Sequence, residues 1–309
     1  MNNIILNKIA EQKIALFKSF DTNTIKVVAD FDGTLSYGRR DDGKRNTSIS
    51  VLRDGGYLPA SYDAEAHALH DHYHTIEIDH TLSHEYRYKM MQEWWDRHNE
   101  IIIKYDLNKD ILEKAGRSHY VKLRHGLKSL LEILKAKNID IYIFSAGKRE
   151  LIYYTLLEEF KNKNDTNNKE NISFDESHII SNYFIYDKDG KVIDYNRPQI
   201  TSFNKDESVI TNNKFKLENE KDSKDSYSNI RDKYMSRRNV ILIGDGEGDV
   251  NMVDEKNCDH ILRIGFFNMK VEEAHYAERL AHFQNIYDIV ITGDGSIDVV
   301  LDTFDIYMI

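Results

Sequence analysis

The sequence predicts an α/β fold: a parallel sheet with helices on both faces, interrupted by an inserted, mainly helical cap. Three observations lead there. Short β-rich apolar runs alternate with amphipathic segments along the 309 residues. The runs are nearly continuous in apolar residues, as strands covered on both faces require. One stretch, from about Arg39 to Arg117, breaks the alternation with helical sequence rich in aromatics and histidine.

The runs lie at residues 25–29, 139–144, 178–180, 240–243, 260–264 and 288–291. Between them Leu127, Leu130, Leu131 and Leu134 recur at helical spacing, as do Leu151, Tyr154, Thr155 and Glu158. Two short runs, 183–186 and 191–195, flank Asp189-Gly190, the pattern of a hairpin with a tight turn. Ahead of the first strand, residues 4–20 mix apolar and charged side chains as an amphipathic surface helix does. We expect a core of residues 1–38 and 119–309 and a cap of residues 39–118. Two Asn- and Lys-rich stretches, 161–171 and 212–229, have little apolar area to bury and read as mobile surface loops.

Composition narrows the function. The chain is 40% apolar, with no apolar run near the length of a membrane span. Residues 1–21 lack the apolar core and cleavage site of a secretory leader. Cys258 is the single cysteine, so the chain forms no internal disulfide and no thiolate metal cage. A reducing cytoplasm fits this, and the Asn-x-Ser triplets at Asn46 and Asn171 are then chance matches. A net charge of −10 argues against nucleic-acid polymers as partners. A small anion still binds where the site supplies local positive charge. No apolar face is left over once sheet and cap are covered, so we expect a monomer.

Four sites carry chemistry. In the first, the run at 25–29 leads into Asp30-Phe31-Asp32-Gly33-Thr34. Carboxylates at i and i+2 lie on one side of a strand that continues through them. At the carboxyl end of a parallel strand they face the crevice where open α/β sheets bind ligands. Neighbouring carboxylates repel, so one holds its proton more tightly. That suits an ionised nucleophile beside a partner that carries a proton. An exposed Asp-x-Asp turn has the same sequence, so the motif alone does not decide.

In the second, Ile143-Phe144-Ser145-Ala146-Gly147 precedes a helical pattern from Lys148. A hydroxyl and free N–H groups at a helix start cradle phosphate; an ordinary serine helix cap reads the same way. The third is Phe203-Asn204-Lys205-Asp206. A lone lysine is usually solvated, but a phosphate site among aspartates requires a fixed cation. The fourth is Ile243-Gly244-Asp245-Gly246-Glu247-Gly248-Asp249, an acidic turn after a strand. Its hard oxygen ligands suit Mg²⁺. The loop lacks the sixth-position glycine and twelfth-position glutamate of an EF-hand.

In this order the four sites resemble the haloacid dehalogenase-like phosphohydrolase superfamily, through Asp30-x-Asp32-x-Thr34, Ser145, Lys205 and Gly244-Asp245 with Asp249. The resemblance implies a Rossmann-like core and a Mg²⁺ ion held by Asp30, the backbone carbonyl of Asp32 and Asp245. Such an ion offsets the repulsion between an attacking carboxylate and a phosphate dianion. Asp249 would brace the ligands. Asp30 would attack phosphorus while Lys205, Ser145 and the N–H groups near Gly33 and Ala146 hold the phosphoryl oxygens. Asp32 would protonate the leaving sugar oxygen and then activate the water that cleaves the aspartyl phosphate.

From about Ile25 onward the chain is similar to the cytosolic pyrimidine 5′-nucleotidase family, type III. Tyr73-x-x-Ile76-Glu77-x-Asp79, Glu93-Trp94, Ile261-x-x-Ile264-Gly265 and Tyr287-Asp288-Ile289-Val290 add to the core motifs. The resemblance implies hydrolysis of nucleoside 5′-monophosphates, with a pyrimidine or 7-methylguanine base read by Glu77. A carboxylate accepts from the exocyclic amine of cytosine, and it suits a cationic base with aromatic faces nearby. Trp94 and Trp95 offer stacking faces, although adjacent helical residues point in different directions and one of the two belongs to the cap interior. Where the family carries a base-contacting serine, this chain has His98, followed by Asn99, and residues 37–62 align poorly. His67, His70 and His74 share a helical face as zinc ligands do, but no further ligand is spaced to complete a site. Two other functions compete: a phosphatase of another small metabolite, and a non-catalytic nucleotide-binding protein. The second is disfavoured because every core position the chemistry needs is filled. Transfer of the phosphoryl group to a nucleoside hydroxyl is a further side activity open to the same core.

Overall fold

The computed structural model describes residues 4–79, 81–161, 176–211 and 224–301. Its strands are β1 (Ile4–Leu6), β2 (Ile25–Ala29), β3 (Asp140–Lys148), β4 (Ile179–Asn182), β5 (Phe184–Tyr186), β6 (Val192–Tyr195), β7 (Asn239–Gly244), β8 (His260–Phe267) and β9 (Ile289–Thr292). Its helices are α1 (Ala10–Lys18), α2 (Ser50–Asp54), α3 (Ala60–Glu77), α4 (His84–Lys104), α5 (Lys109–Gly116), α6 (Leu127–Ala136), α7 (Arg149–Phe160), α8 (Ser208–Thr211), α9 (Lys224–Ser236) and α10 (Tyr276–Ile286).

One sheet runs in the order β1-β9-β8-β7-β2-β3-β4, and β5 pairs with β6 in a separate hairpin. All neighbours in the large sheet are parallel except β1 against β9. Strand β2 lies between β3 and β7, with Ala29 opposite both Ile143 and Ile243. The three chain segments that follow, beginning at Asp30, Ser145 and Gly244, therefore meet at one edge of the sheet.

The period of two divides each strand between two cores. Val27, Ile141, Ile143, Ile241 and Ile243 face one side, against Leu127, Leu130, Leu131 and Leu134 of α6 and Ile14 of α1. Val28, Tyr142, Phe144, Val240 and Leu242 face the other, against Tyr234 of α9 and Phe283 of α10. Helices α2 to α5, inserted between β2 and β3, form a third core. There Val51, Tyr62, Ile102 and Leu112 pack with Leu151 of α7 and with Phe184 and Tyr195 of the hairpin.

Two sequence expectations need correction. Residues 4–20 are not one helix: Ile4–Leu6 form a strand on β9, and the helix begins at Ala10. The free edge of β9 offers these three residues the backbone partners that an isolated helix end lacks. The polar stretch 212–229 is not loop throughout, because α9 starts at Lys224. Ile230 and Tyr234, four residues apart, give this helix an apolar stripe that reaches the core. The rest of that stretch and residues 162–171 of the other lie outside the described residues.

Leu242 is fully buried in β7. Leu242→Ala should lower stability by roughly 2–5 kcal/mol, seen as a lower urea midpoint. An unchanged midpoint would contradict a central position for this strand.

Candidate active site

Asp30 follows β2 directly, and its backbone N–H donates to the Ile243 carbonyl, so the sheet itself fixes its position (3.0 Å). Its carboxylate is buried. One oxygen each from Asp30, Asp245 and Asp249 lies within 4.8 Å of the others. Lys205 reaches into this group from the loop before α8. Its ammonium pairs with Asp30 Oδ1 and, at 2.7 Å, with Asp249 Oδ1. Burial alone would lower the Lys205 pKa, but the charges of Asp249 and Asp30 outweigh it and hold the lysine protonated.

The charges do not balance: three carboxylates face one ammonium. Burial pushes the Asp30 carboxyl well above the usual range, against the pull of Lys205, and Asp249 and Asp245 add to the push. Burial, and then the charge of Asp249, raises Asp245 to about 7. A divalent cation among these oxygens would relieve the excess, and the donor set fits one. All three groups are hard carboxylates at a strand-end crevice.

The surrounding turns are built to hold them. Asp249 Oδ2 accepts from the backbone N–H groups of Asp245 and Gly246, both at 2.9 Å, so Asp249 folds the turn that presents Asp245. This turn is a 3₁₀ helix, Glu247–Met252. The Asn268 amide donates to Asp245 Oδ2 at 3.0 Å and to the Gly33 carbonyl at 2.8 Å. Gly33 has φ +82, and a Cβ there would run into the Asp245 carboxylate. Only glycine tolerates both demands.

Asp32 lies apart from the three. Ser48 holds both its oxygens, the N–H on Oδ1 at 2.7 Å and the hydroxyl on Oδ2 at 2.9 Å. Burial pushes the Asp32 carboxyl up to about 6 against these two hydrogen bonds. That keeps a proton within reach near neutral pH. Ser145 is buried on β3, and its hydroxyl accepts from the Gly147 N–H at 3.0 Å. The strand runs on to Lys148 and α7 begins at Arg149, so Ser145 stands four residues ahead of the helix. The Ala146 carbonyl accepts from the Asn182 amide at 2.8 Å.

The inserted helices bring Glu77 to the Lys205 loop. Glu77 Oε1 accepts from the Ser202 hydroxyl at 2.9 Å, and Oε2 lies 3.2 Å from His74 Nδ1. Burial would raise the Glu77 carboxyl, but His74, Ser202 and the nearby charge of Arg45 keep it below its usual value, hence ionised. Tyr73, Trp94, Trp95, His98 and Tyr62 form a run of near-parallel rings with centroids 6.1–6.4 Å apart. Trp94 and Trp95 are both half-buried in it. His98 is buried, with Nε2 3.1 Å from the Tyr62 hydroxyl. The histidine face is tied up within the protein: His67 with Asp54, His70 with Asp71, His74 with Glu77. Beside Asp32 and Asp245 opens a cavity of about 390 Å³, lined also by Gly33, Arg45, Asn268 and Phe267.

Sequence reasoning missed Arg124, Asn268 and Ser48. Arg124 is almost completely buried and donates to the carbonyls of Gly33 and Thr34 and to Asn268 Oδ1 (2.7 Å to the last). It also pairs with Asp294 at 3.0 Å. Arg124 and Ser48 follow no apolar run, whereas Asn268 directly follows β8; each acts through tertiary contacts that no spacing records.

The fold is haloacid dehalogenase-like, with the carboxylate cluster at the carboxyl edge of its sheet. Residues 33–306 match the model of the pyrimidine 5′-nucleotidase (UMPH-1) family. The chain belongs to that family and is a hydrolase of phosphoric monoesters, a 5′-nucleotidase. Relatives named 7-methylguanosine phosphate-specific 5′-nucleotidase share 28% identity in Gallus gallus, over 93% of this chain and 89% of theirs. In Homo sapiens the identity is 28% over 89% of this chain and 82% of the relative. A putative cytosolic 5′-nucleotidase 3 of Caenorhabditis elegans is 28% identical over 91% of this chain and 68% of its own. The crystal structure of cytosolic 5′-nucleotidase IIIB bound to cytidine superposes with a TM-score of 0.77 at 22% identity, over 98% of this chain and 93% of that one. Among the described residues no helix is long and apolar enough to cross a membrane.

Burial, and then the charge of Lys148, pushes His98 down to about 3, so it is neutral in the folded protein. The unfolded chain, with an ordinary histidine near 6.5, takes up the proton first as pH falls. The neutral imidazole's contribution is complete above about pH 6.5 and is lost toward pH 3. Between pH 7 and pH 5 the loss should be about 2 kcal/mol. Urea unfolding of wild type and His98→Gln at both pH values measures it. The slope should flatten in the variant, and equal slopes would mean that His98 is not held neutral.

Proposed function

We propose that the protein is a Mg²⁺-dependent 5′-nucleotidase that hydrolyses nucleoside monophosphates through a phosphorylated Asp30. One observation carries this: Asp30, Asp245 and Asp249 crowd within 4.8 Å around the Lys205 ammonium at the carboxyl edge of a parallel sheet.

Asp30 and Asp245 are the residues that would hold the metal, together with the backbone carbonyl of Asp32, and Asp249 braces them. When bound, the cation supplies positive charge that offsets the repulsion between carboxylate and phosphate dianion. The chain's own residues do the rest. Asp30 is held at the strand end by its backbone hydrogen bond and attacks phosphorus. Lys205, kept protonated, takes phosphoryl oxygens, with Ser145 and the N–H groups near Gly33 and Ala146 on the other side. Asp32, oriented by Ser48, protonates the leaving ribose oxygen and then removes a proton from the water that cleaves the aspartyl phosphate.

Residues 39–118 serve as the cap that reads the base. Glu77 is ionised and lies beside the Lys205 loop, so it can accept from the exocyclic amine of cytosine or from a cationic 7-methylguanine. Trp94 or Trp95 supplies a stacking face, with His98 behind them. The names of the relatives and the cytidine in the neighbour's structure favour CMP and 7-methyl-GMP as substrates. We take a monomer in the cytoplasm as the working form.

Asp30→Asn should abolish phosphate release with the circular dichroism spectrum unchanged, and a chelator should stop the wild type until Mg²⁺ is restored. Full turnover in either case rules out the mechanism. Phosphate release across CMP, UMP, 7-methyl-GMP, AMP and a sugar phosphate tests the substrate class. Glu77→Ala should cost roughly tenfold or more in kcat/KM on the preferred nucleotide, in the range of one lost charged hydrogen bond. Its effect on p-nitrophenyl phosphate should be clearly smaller; equal losses on both would show that Glu77 does not read a base.

A further inference from the structure

Gln199 lies six residues before Lys205 and is buried. Each of its two oxygens serves two donors, one from the inserted helices and one from the core. The side-chain oxygen accepts from Asn99 of α4 at 3.1 Å and from Lys148, at the end of β3, also at 3.1 Å. The backbone oxygen accepts from Gln92 of α4 at 2.9 Å and from the Asn204 amide at 3.0 Å. Its amide nitrogen donates to the Asn196 carbonyl. Every acceptor position of this residue is thus taken.

The two α4 donors are seven residues apart, two turns along one face of the helix. Asn204 directly precedes Lys205, and its own oxygen accepts from the Thr201 N–H at 2.7 Å, which closes the turn. Two more residues join the same turn to the inserted helices. Ser202 donates to Glu77, and the Phe203 ring lies 5.2 Å from the His84 ring of α4 and 5.2 Å from the Arg87 guanidinium. Lys148 is buried beneath aromatic faces, 4.6 Å from the Phe184 ring and 5.0 Å from that of Trp95. A shift of α4 by about 1 Å would carry these N–H···O contacts past hydrogen-bond range, and the turn would move with it or lose them.

We propose that Gln199 is a positioning residue for Lys205: it locks the turn at residues 199–205 to helix α4, so that placing the base-reading helices places the lysine on Asp30. This rests on the role given to Lys205 above. A misplacement of about 1 Å at a reacting centre can cost up to ~10²-fold in rate, and a partly relaxed turn should cost about tenfold.

The test is steady-state kinetics on p-nitrophenyl phosphate, which carries no base, with Mg²⁺ present. Gln199→Met removes the side-chain acceptor at similar volume and should lower kcat about tenfold, with KM changed less than twofold. Gln199→Glu keeps an acceptor oxygen for Lys148 and Asn99 but loses the donor to the Asn196 carbonyl, so it should recover part of that loss. Gln92→Met, at a half-buried position, removes only the donor to the backbone oxygen and should lower kcat at least threefold. It stands in if Gln199→Met fails to fold. Lys205→Met separates the two readings. If it stays active, the role of the lysine is wrong and the proposal falls with it. If it is inactive while folded Gln199→Met or Gln92→Met turns over like wild type, Gln199 alone is overturned. A loss in Gln199→Met that Glu does not rescue marks a purely structural role and overturns it as well.

Discussion

Three carboxylates share a largely buried space with one ammonium, and the rest of the site follows from that imbalance. Asp30, Asp245 and Asp249 would drive one another apart in an open loop. They stay together because each is pinned by something other than charge. Asp30 is held by the sheet, through its N–H on the Ile243 carbonyl. Asp249 is held by two N–H groups of the turn it caps. Asp245 is held by the Asn268 amide. Repulsion held in place by backbone geometry is a means of gathering positive charge. Lys205 supplies part of it, and the remaining deficit suits a divalent cation and, with it, a phosphate.

Pinning requires its own supports, and those come from far along the chain. Arg124 sits under the Asp30–Thr34 turn and donates to its carbonyls, while also binding Asn268 and facing Asp294. One buried guanidinium therefore ties the turn after β2 to the loops after β8 and β9. Removing a buried charged donor of this kind leaves several carbonyls without partners, which costs far more than one hydrogen bond. The catalytic edge is thus rigid for the same reason that the fold is: its loops are satisfied by each other.

Much of this could be read from the sequence, and the reason is local. Residues 240–243 are a continuous apolar run and residues 25–29 one broken only by Lys26; they end abruptly in Gly-Asp and Asp, so the strand, its end and the candidate functional residue are encoded side by side. Asp30, Asp245 and Asp249 needed only the rule that parallel strands end together. Lys205 was legible only through the resemblance, since nothing in Phe203-Asn204-Lys205-Asp206 distinguishes it from a solvated lysine. Ser48 and Asn268 had no such signal. Ser48 lies in irregular sequence and Asn268 directly after β8, where an asparagine carries no mark of its own; the role of each depends on where the chain returns in space. Strand β1 was hidden for a related reason: three residues form a strand only because β9 has an edge to offer. The aromatic run in the inserted helices was visible as composition, but the order of its rings is a matter of packing between α3 and α4.

The chemistry and the recognition of substrate are usually assigned to separate parts of such a fold, the sheet edge for one and the inserted helices for the other. Here the turn from Gln199 to Lys205 belongs to both. Ser202 binds the proposed base reader Glu77, Phe203 packs on α4, and Lys205 binds the proposed nucleophile, all within four residues. On the proposed roles, a change in what the inserted helices hold can reach phosphorus through this turn, beside the contact that Ser48 makes with Asp32. On the roles proposed for Glu77 and Lys205, base preference and turnover are coupled by the shortness of this segment. A substitution that alters Glu77 also frees Ser202, three residues from the lysine. Comparing a nucleotide with a phosphate ester that lacks a base is what separates lost recognition from a displaced cation.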